Sequence, residues 1–171
     1  MTTIYTIGYE GTDIKRFVAT LIAAKVEVLA DVRAVAISRK RGFSKKTLQN
    51  ALSEVGIEYQ HYVDLGDPKE GRLAARAGKI DEFRKIFAAH LASDRAQRSL
   101  SDLTEAARNS ATCLMCFERD PRGCHRSIIA AQMATRGISI FDLYGDSPDR
   151  YVRNSKLLPS RDTHQSGAAR Q

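Results

Sequence analysis

Two periods of apolar residues alternate along the chain, one typical of β-strands and the other of amphipathic α-helices. Short apolar runs rich in β-branched and aromatic residues predict five strands. These strands are residues 3–8, 26–32, 57–66, 111–117 and 138–143. Apolar residues at helical spacing predict helices at residues 14–22, 44–55, 80–91 and 101–109, and a further helix that follows the charged loop and ends near Arg136 and Gly137. Residues 66–79 are predicted to form a loop or a short irregular helix.

The alternation of strands and helices determines the predicted fold class. Strand–helix units joined by short connections predict a three-layer α/β/α domain around a mainly parallel sheet of about five strands. We assign residues 1–146 to this single domain. Residues 147–171 form a polar, basic C-terminal tail that we expect to be partly disordered. The apolar residues of the tail that could dock are Tyr151, Val152, Leu157 and Leu158.

Three predicted loops carry polar residues away from strand carboxyl ends, namely residues 8–12, 31–44 and 119–127. Thr12 is the expected N-cap of the first helix, and Ser44 that of the second. Ligands of open α/β sheets bind outside the carboxyl ends of the strands, where these loops meet. We therefore expect the three loops to lie at one edge of the sheet and to form one site.

Composition places the chain among ordinary globular proteins, since 43% of the 171 residues are hydrophobic and 27% are charged. No apolar run approaches the length of a membrane helix, and the first residues lack the features of a signal peptide. A cytoplasmic protein without a membrane partner is expected. The net charge of +7 and the isoelectric point of about 9.5 suit a polyanionic partner, although a basic surface without such a partner explains them equally well.

The densest chemistry lies in the segment FERDPRGCHRSIIAAQ, residues 117–132. A zinc site would need Cys113 and Cys116 together with Cys124 and His125. Cys113 and Cys116 lie in a predicted strand at an odd spacing, so their side chains point to opposite faces. We therefore expect no metal, consider zinc unlikely and predict no cofactor.

The same segment predicts an anion site at the start of a helix. Asp120 and Pro121 resemble an N-cap followed by a first-turn proline, and free N–H groups at helix starts bind phosphate. Arg126 adds a bidentate donor, and cationic neighbours favour the reactive thiolate form of Cys124. The predicted anion-binding residues are Gly123, Arg126, Ser127 and Arg33, and the predicted catalytic residues are Glu118, Cys124 and His125.

Four motifs resemble a largely prokaryotic family catalogued as domain of unknown function 488. The motifs are TIGYEG, LADVR, YQHYVDLG and above all CFERDPRGCHRSIIA, and the resemblance covers about residues 3–144. The resemblance supports the fold and the site without naming a reaction. The family pattern highlights Gly8, Asp31, Arg33, Cys116, Glu118, Cys124, His125 and Arg126.

Further candidates flank this segment. Asp31 and Arg33 lie at the end of the second strand and form either a structural ion pair or part of the site. Glu10 could face the same cleft. His61 is expected to be a hydrogen-bonded core residue. A basic loop with one aromatic residue, Phe43, has the residues to contact a nucleic-acid backbone and to stack on a base. A solvent-exposed loop without such a partner explains the same residues equally well. Its cations are Arg39, Lys40, Arg41, Lys45 and Lys46.

Three functions fit these residues. The first is an enzyme that acts on a nucleotide, a nucleic acid or another phosphate-bearing molecule, with Glu118 as acid or base and Cys124 or His125 as nucleophile or proton carrier. The second is a nucleic-acid-binding protein without catalysis. The third is a thiol-based redox sensor that uses Cys116 and Cys124. Cys124 is expected to be the most reactive thiol, and Arg126 to be exposed. The sequence leaves the reaction and the oligomeric state open.

Overall fold

Every strand of the central sheet runs in the same direction. The structure is a computed structural model that describes residues 1–160. The five strands are β1 (Thr3–Gly8), β2 (Val28–Asp31), β3 (Glu58–His61), β4 (Thr112–Cys116) and β5 (Ser139–Tyr144). They pair in the order β3-β2-β4-β1-β5, and every pair is parallel. The predicted parallel α/β architecture is therefore confirmed.

Helices cover both faces of the sheet, because each buried strand is apolar on both sides. They are α1 (Ile14–Ala23), α2 (Lys45–Ser53), α3 (Lys69–Arg76), α4 (Ile80–Leu91), α5 (Asp94–Asn109), α6 (His125–Ala134) and α7 (Asp149–Arg153). Leu114 faces the core beneath α3 to α6, whereas its neighbours Cys113 and Met115 face the core beneath α1 and α2. This alternation along β4 confirms the three-layer arrangement.

The structure changes several predicted element boundaries. Residues 69–76 form a regular helix, and α5 begins at Asp94, where the Ser93 hydroxyl accepts a hydrogen bond from Ala96 N at 3.3 Å. The third strand ends at His61, and a 3₁₀ turn follows at Val63–Leu65. The polar residues in the first turns of α3 and α5 weaken the hydrophobic pattern there, so the sequence predicted only the second half of α5 and left a loop or a short irregular helix open for α3.

Thr12 is not the N-cap of α1. The cap is Asp13, whose carboxylate accepts a hydrogen bond from Arg16 N at 2.9 Å. The Thr12 hydroxyl instead donates to Gly145 O at 2.6 Å and thereby joins the loop after β1 to the loop after β5. Ser44 is at the predicted N-cap position of α2, although its hydroxyl donates to Ser38 O.

The connections that follow β1 and β4 leave the sheet on opposite faces. These strands are neighbours, but α1 follows β1 on one face of the sheet and α6 follows β4 on the other. Ligand sites of open α/β sheets are found where the connections of neighbouring strands diverge in this way. Tyr9 N donates to Cys116 O at 3.3 Å, and Glu10 N donates to Phe117 O at 2.8 Å. The loops after β1, β2 and β4 therefore lie at one edge, as predicted.

The first part of the C-terminal tail packs on the domain. Tyr151 of α7 is buried, and its hydroxyl accepts a hydrogen bond from Tyr144 N at 2.9 Å. Leu158 is partly buried, whereas Val152 and Leu157 are exposed. The predicted disorder of residues 161–171 concerns a segment outside the described residues. Among residues 1–160, no helix is long and apolar enough to cross a membrane.

A substitution at Gly8 tests the close approach between β1 and the loop after β4. A Cβ at this position would overlap the backbone carbonyl of Glu118 and lie 3.0 Å from Arg119 N. Backbone atoms cannot move aside as a flexible side chain can, so we expect Gly8→Ala to lower the free energy of unfolding by about 2 kcal/mol or more. Urea denaturation of the full chain measures this loss.

Gly123→Ala is the matched control, since a Cβ there meets no atom within 4 Å. Its unfolding free energy should stay within about 0.5 kcal/mol of wild type. Equal stability of the two variants would contradict the packing described here.

Candidate functional site

The sulfur atoms of Cys116 and Cys124 are in bonding contact, as a disulfide, at the carboxyl end of β4. Cys116 is the last residue of β4, and Cys124 is the N-cap of α6, with extended backbone angles of φ −126° and ψ 147°. Both cysteines are buried, with 1% and 3% of their surfaces exposed. The third cysteine, Cys113, lies on the opposite face of β4, where burial raises the pKa of its thiol. The structure therefore separates one inert thiol from one thiol pair.

Each cysteine of the pair has its own proton acceptor. The Cys116 sulfur lies 3.1 Å from Glu118 Oε2. The Cys124 sulfur lies 3.8 Å from His125 Nδ1, while His125 Nε2 lies 2.6 Å from Val32 O. Because a carbonyl oxygen only accepts, Nε2 must carry the proton, and in the neutral ring Nδ1 is left as an acceptor. The backbone of the loop after β2 thus sets the tautomer that faces Cys124.

Arg126 is fully buried, which corrects the expectation of an exposed residue at the helix start. Its Nη1 donates to Glu118 O at 2.5 Å and lies 2.7 Å from the Cys116 sulfur. Its Nη2 donates to Arg119 O at 3.2 Å, and its Nε to Thr6 Oγ1 at 3.3 Å. These partners occupy the guanidinium N–H groups that were predicted to hold an external anion. Arg126 instead fixes the loop between β4 and α6.

The charge of Arg126 is an unusual feature of this core. Burial lowers the pKa of the guanidinium, and electrostatic interactions with Cys113, Asp142 and Glu118 partly oppose this change. Within residues 1–160 the guanidinium forms no ion pair with a carboxylate. Of the groups in direct contact with it, the Cys116 sulfur is the one that could become an anion, once the disulfide is reduced. A buried cation at this distance favours the thiolate of Cys116.

The start of α6 differs from the predicted one. Asp120 caps a separate 3₁₀ turn, Pro121–Gly123, and α6 begins after it at His125. Hydrogen bonds from Arg122 lower the pKa of the Asp120 carboxyl to about 2. The Ser127 hydroxyl donates to Cys124 O at 2.8 Å, so it is engaged by the helix itself. Of the predicted anion-binding residues in this loop, Gly123 is the one that is exposed.

Asp31 and Arg33 form a buried ion pair beside this loop, with 2.7 Å between Arg33 Nη2 and Asp31 Oδ2. Arg33 Nη1 also donates to Phe43 O at 2.8 Å and to the Tyr9 hydroxyl at 3.2 Å. Burial alone would lower the pKa of Arg33, but the bonds and charge of Asp31 raise it. The Tyr59 hydroxyl completes the cluster by donating to Asp31 at 2.6 Å. The structure thus uses Arg33 to hold the loop after β2 and does not leave it free for an anion.

Glu10 and Gly8 contact the loop between β4 and α6. Glu10 Oε2 accepts a hydrogen bond from Arg119 N at 2.9 Å. Gly8 lies against the backbone of Glu118, where a larger residue would not fit. Both residues therefore belong to the frame around the thiol pair. His61 Nε2 lies 2.8 Å from Arg33 O, so the expected hydrogen bond is present, but the residue is half-buried on the edge strand β3 and does not belong to the core.

The basic loop after β2 exposes its cations but not its aromatic ring. Phe43 is fully buried and stacks on Tyr9, with 4.5 Å between the ring centroids. The expectation that Phe43 stacks on a nucleic-acid base is therefore wrong. Lys40 is half-buried, and the other four cations of the loop are exposed. They are Arg39, Arg41, Lys45 and Lys46.

Sequence reasoning missed the partners that other elements supply. Thr6 of β1 accepts from Arg126 and donates to Asp142 of β5, and no local pattern marks either residue. Asp142 also lines a shallow cavity of about 310 Å³ beside the start of α6. The other lining residues are Arg84, Pro121, Arg122, Ser127, Ala130 and Ile140. The burial of Arg126 did leave a signal, because it shares a helical face with Ile129, Ala130 and Met133.

Comparison with protein families matches residues 13–133 to the model described as Domain of unknown function DUF488. The chain belongs to the DUF488 family. The matched region includes the thiol pair and the ion pair of Asp31 and Arg33, whereas Gly8 and Glu10 precede it. Searches of curated proteins and of solved structures gave no match. The match confirms the family that the motifs suggested and includes three of the four motifs, whereas TIGYEG at residues 6–11 precedes it. Family membership does not specify a reaction.

Arg126 should be essential to stability in this DUF488 protein. Arg126→Met keeps the length of the side chain but leaves the carbonyls of Glu118 and Arg119 without their donor. We expect a loss of about 2–4 kcal/mol in the free energy of unfolding, measured by urea denaturation. Arg122→Met is the control, because Arg122 is exposed and pairs with Asp120. A change of less than about 0.5 kcal/mol is expected there, and similar losses for both variants would refute the role given to Arg126.

Proposed function

We propose that this DUF488 protein is a thiol-based redox sensor in which Cys116 and Cys124 interconvert between a dithiol and a disulfide. The observation that supports this function is the contact of the two sulfur atoms, with a separate proton acceptor beside each. Such a pair starts reduced in the cytoplasm, where we place the protein. Cys116 is the attacking thiol, since Arg126 stabilises its thiolate.

The burial of both cysteines limits the oxidant to a small molecule, and we assign it to the peroxide class. The Cys116 thiol passes its proton to Glu118, and the thiolate attacks one peroxide oxygen. The O–O bond breaks, an S–O bond forms, and the leaving hydroxide takes a proton from Glu118 to become water. The product is a sulfenic acid on Cys116.

The second step closes the disulfide. Cys124 passes its proton to His125 Nδ1, and its thiolate attacks the Cys116 sulfur. The S–S bond forms, the S–O bond breaks, and the hydroxide takes the proton from His125. In total, two thiols and one hydrogen peroxide give one disulfide and two waters. Glu118 and His125 thus keep the acid–base roles predicted from the sequence, with the attacking thiol moved from Cys124 to Cys116.

A second candidate function is binding or turnover of a phosphate-bearing molecule, either a nucleotide or a nucleic acid. The supporting observation is the cavity of about 310 Å³, whose wall includes Arg84 and Arg122 next to Ser127. The exposed cations of the basic loop extend the positive surface at the same edge of the sheet. Asp142 in the cavity wall and Asp120 beside Arg122 reduce this positive charge. For this reason we rank phosphate recognition below thiol chemistry.

Peroxide oxidation tests the redox function directly. After treatment of the reduced protein, tryptic digestion should give residues 109–119 joined to residues 123–126 through Cys116 and Cys124. Glu118→Gln should slow formation of this cross-link at least about 10-fold, because the first thiol loses its proton acceptor. Quantitative mass spectrometry of the linked peptides over time measures the rate.

Cys113→Ser is the matched control and should oxidise at the wild-type rate, since Cys113 lies on the other face of β4. Cys116→Ser and Cys124→Ser should give no intramolecular cross-link. Absence of the Cys116–Cys124 cross-link in wild type, or a cross-link that needs Cys113, would refute the redox function.

Salt dependence tests the nucleic-acid candidate. If the basic loop contacts a phosphate backbone, Arg39→Ala combined with Lys40→Ala should reduce the slope of log K against log salt by about 2. Fluorescence anisotropy with single- and double-stranded oligonucleotides provides the affinities. Lys85→Ala combined with Arg98→Ala removes two exposed charges from α4 and α5 and should leave the slope unchanged. Equal slopes for the loop variant and wild type would refute nucleic-acid binding by the basic loop.

A further inference from the structure

We propose that the reduced protein binds a divalent metal ion of the zinc class through Cys116, Glu118 and Cys124. The proposal uses the thiol pair of the proposed function but does not depend on disulfide chemistry. It adds a ligand to the site, and metal binding and oxidation would exclude each other. Zn²⁺ is the expected ion, because it is a borderline acid that accepts both soft thiolates and a hard carboxylate as ligands.

Geometry is the first argument. One ligand atom from each of the three residues lies within 4.8 Å of the other two. Zinc bonds to sulfur and oxygen are about 2.0–2.3 Å long, so tetrahedral ligand atoms are about 3.3–3.8 Å apart. Side-chain rotation would bring the three atoms to that spacing.

Charge balance is the second argument. Two thiolates and one carboxylate carry three negative charges, and a divalent ion neutralises two of them. The third is neutralised by Arg126, which is fully buried and lies 2.7 Å from the Cys116 sulfur. An occupied site would therefore be neutral in total. It would also supply the buried guanidinium with the anionic partner that residues 1–160 otherwise do not provide as an ion pair.

The surroundings hold the ligands in place, as the groups around metal sites usually do. Arg126 donates to the Cys116 sulfur and also to Glu118 O, so one side chain positions two ligand residues. The Ser127 hydroxyl donates to Cys124 O and fixes the third. Cys116 and Cys124 are buried, but Glu118 is partly exposed, which leaves a fourth coordination position open toward solvent. Three protein ligands with one open position are typical of zinc sites that bind water or substrate.

The proposed zinc ligands differ from those considered in the sequence analysis. That set paired Cys113 with Cys116, and β4 does place these residues on opposite faces. Glu118 takes the place of Cys113, because its carboxylate returns to the Cys116 sulfur two residues beyond the strand end. Nothing in the C-x2-C spacing indicated this arrangement.

Cobalt substitution tests the site. Co²⁺ is titrated under anaerobic conditions into the reduced full-length protein, and the absorption spectrum is recorded. We expect near-ultraviolet bands from cobalt–thiolate charge transfer and intense visible bands from tetrahedral Co²⁺, at one ion per chain. Zn²⁺ added afterwards should remove these bands. Glu118→Gln should weaken Co²⁺ binding at least about 10-fold, whereas Glu105→Gln, an exposed carboxylate on α5 outside the site, should leave the affinity unchanged.

The cysteine variants and the oxidation state decide the assignment. Cys113→Ser should bind Co²⁺ as wild type does, and Cys116→Ser and Cys124→Ser should lose the charge-transfer bands. Wild-type protein oxidised with peroxide should not bind Co²⁺, a comparison that needs no variant to fold. Absence of cobalt–thiolate bands in reduced wild type, or bands that vanish only in Cys113→Ser, would overturn the proposal. A Co²⁺ site without any peroxide-induced cross-link would overturn the redox function and leave the metal site standing.

Discussion

The guanidinium of Arg126 is the contact on which the site depends. It is buried beneath the loop between β4 and α6, and it donates to two consecutive backbone carbonyls of that loop, those of Glu118 and Arg119. The same group reaches the Cys116 sulfur and the Thr6 hydroxyl. Burying a positive charge is costly unless hydrogen bonds and a negative partner offset the lost hydration. The thiol of Cys116 is placed to become that partner, which links the stability of the loop to the chemistry of the cysteine.

The parallel sheet makes this contact possible. Because β1 and β4 are neighbours and their following helices lie on opposite faces, the loop after β4 crosses the end of β1. Gly8 leaves room for the backbone of Glu118 there, and Glu10 holds Arg119 N. Cys124 then reaches Cys116 from the start of α6. The topology thus brings together two cysteines eight residues apart.

Positive charge has a different role from the one that composition implied. Several arginines of the site bind the protein itself: Arg33 pairs with Asp31, Arg119 with Asp146, and Arg122 with Asp120. Such pairs hold three loops at one edge of the sheet. Exposed cations that could meet an anion include four on the basic loop after β2, and others lie on the helices. Net charge therefore says little about what the cysteines do.

The sequence by itself determined the layered α/β fold, the bounds of α4 (Ile80–Leu91) and the edge at which the loops meet, since alternating periods and parallel connections are local properties of the chain. It also pointed to the correct segment for the site. Only the tertiary structure decided which charged side chain is buried and which thiols meet. Burial and pairing depend on atoms from β1, β4, β5 and α6 that are distant in sequence. From the sequence alone Arg126 is predicted to be exposed, because the carbonyls, the hydroxyl and the sulfur that surround it are supplied by the folded structure.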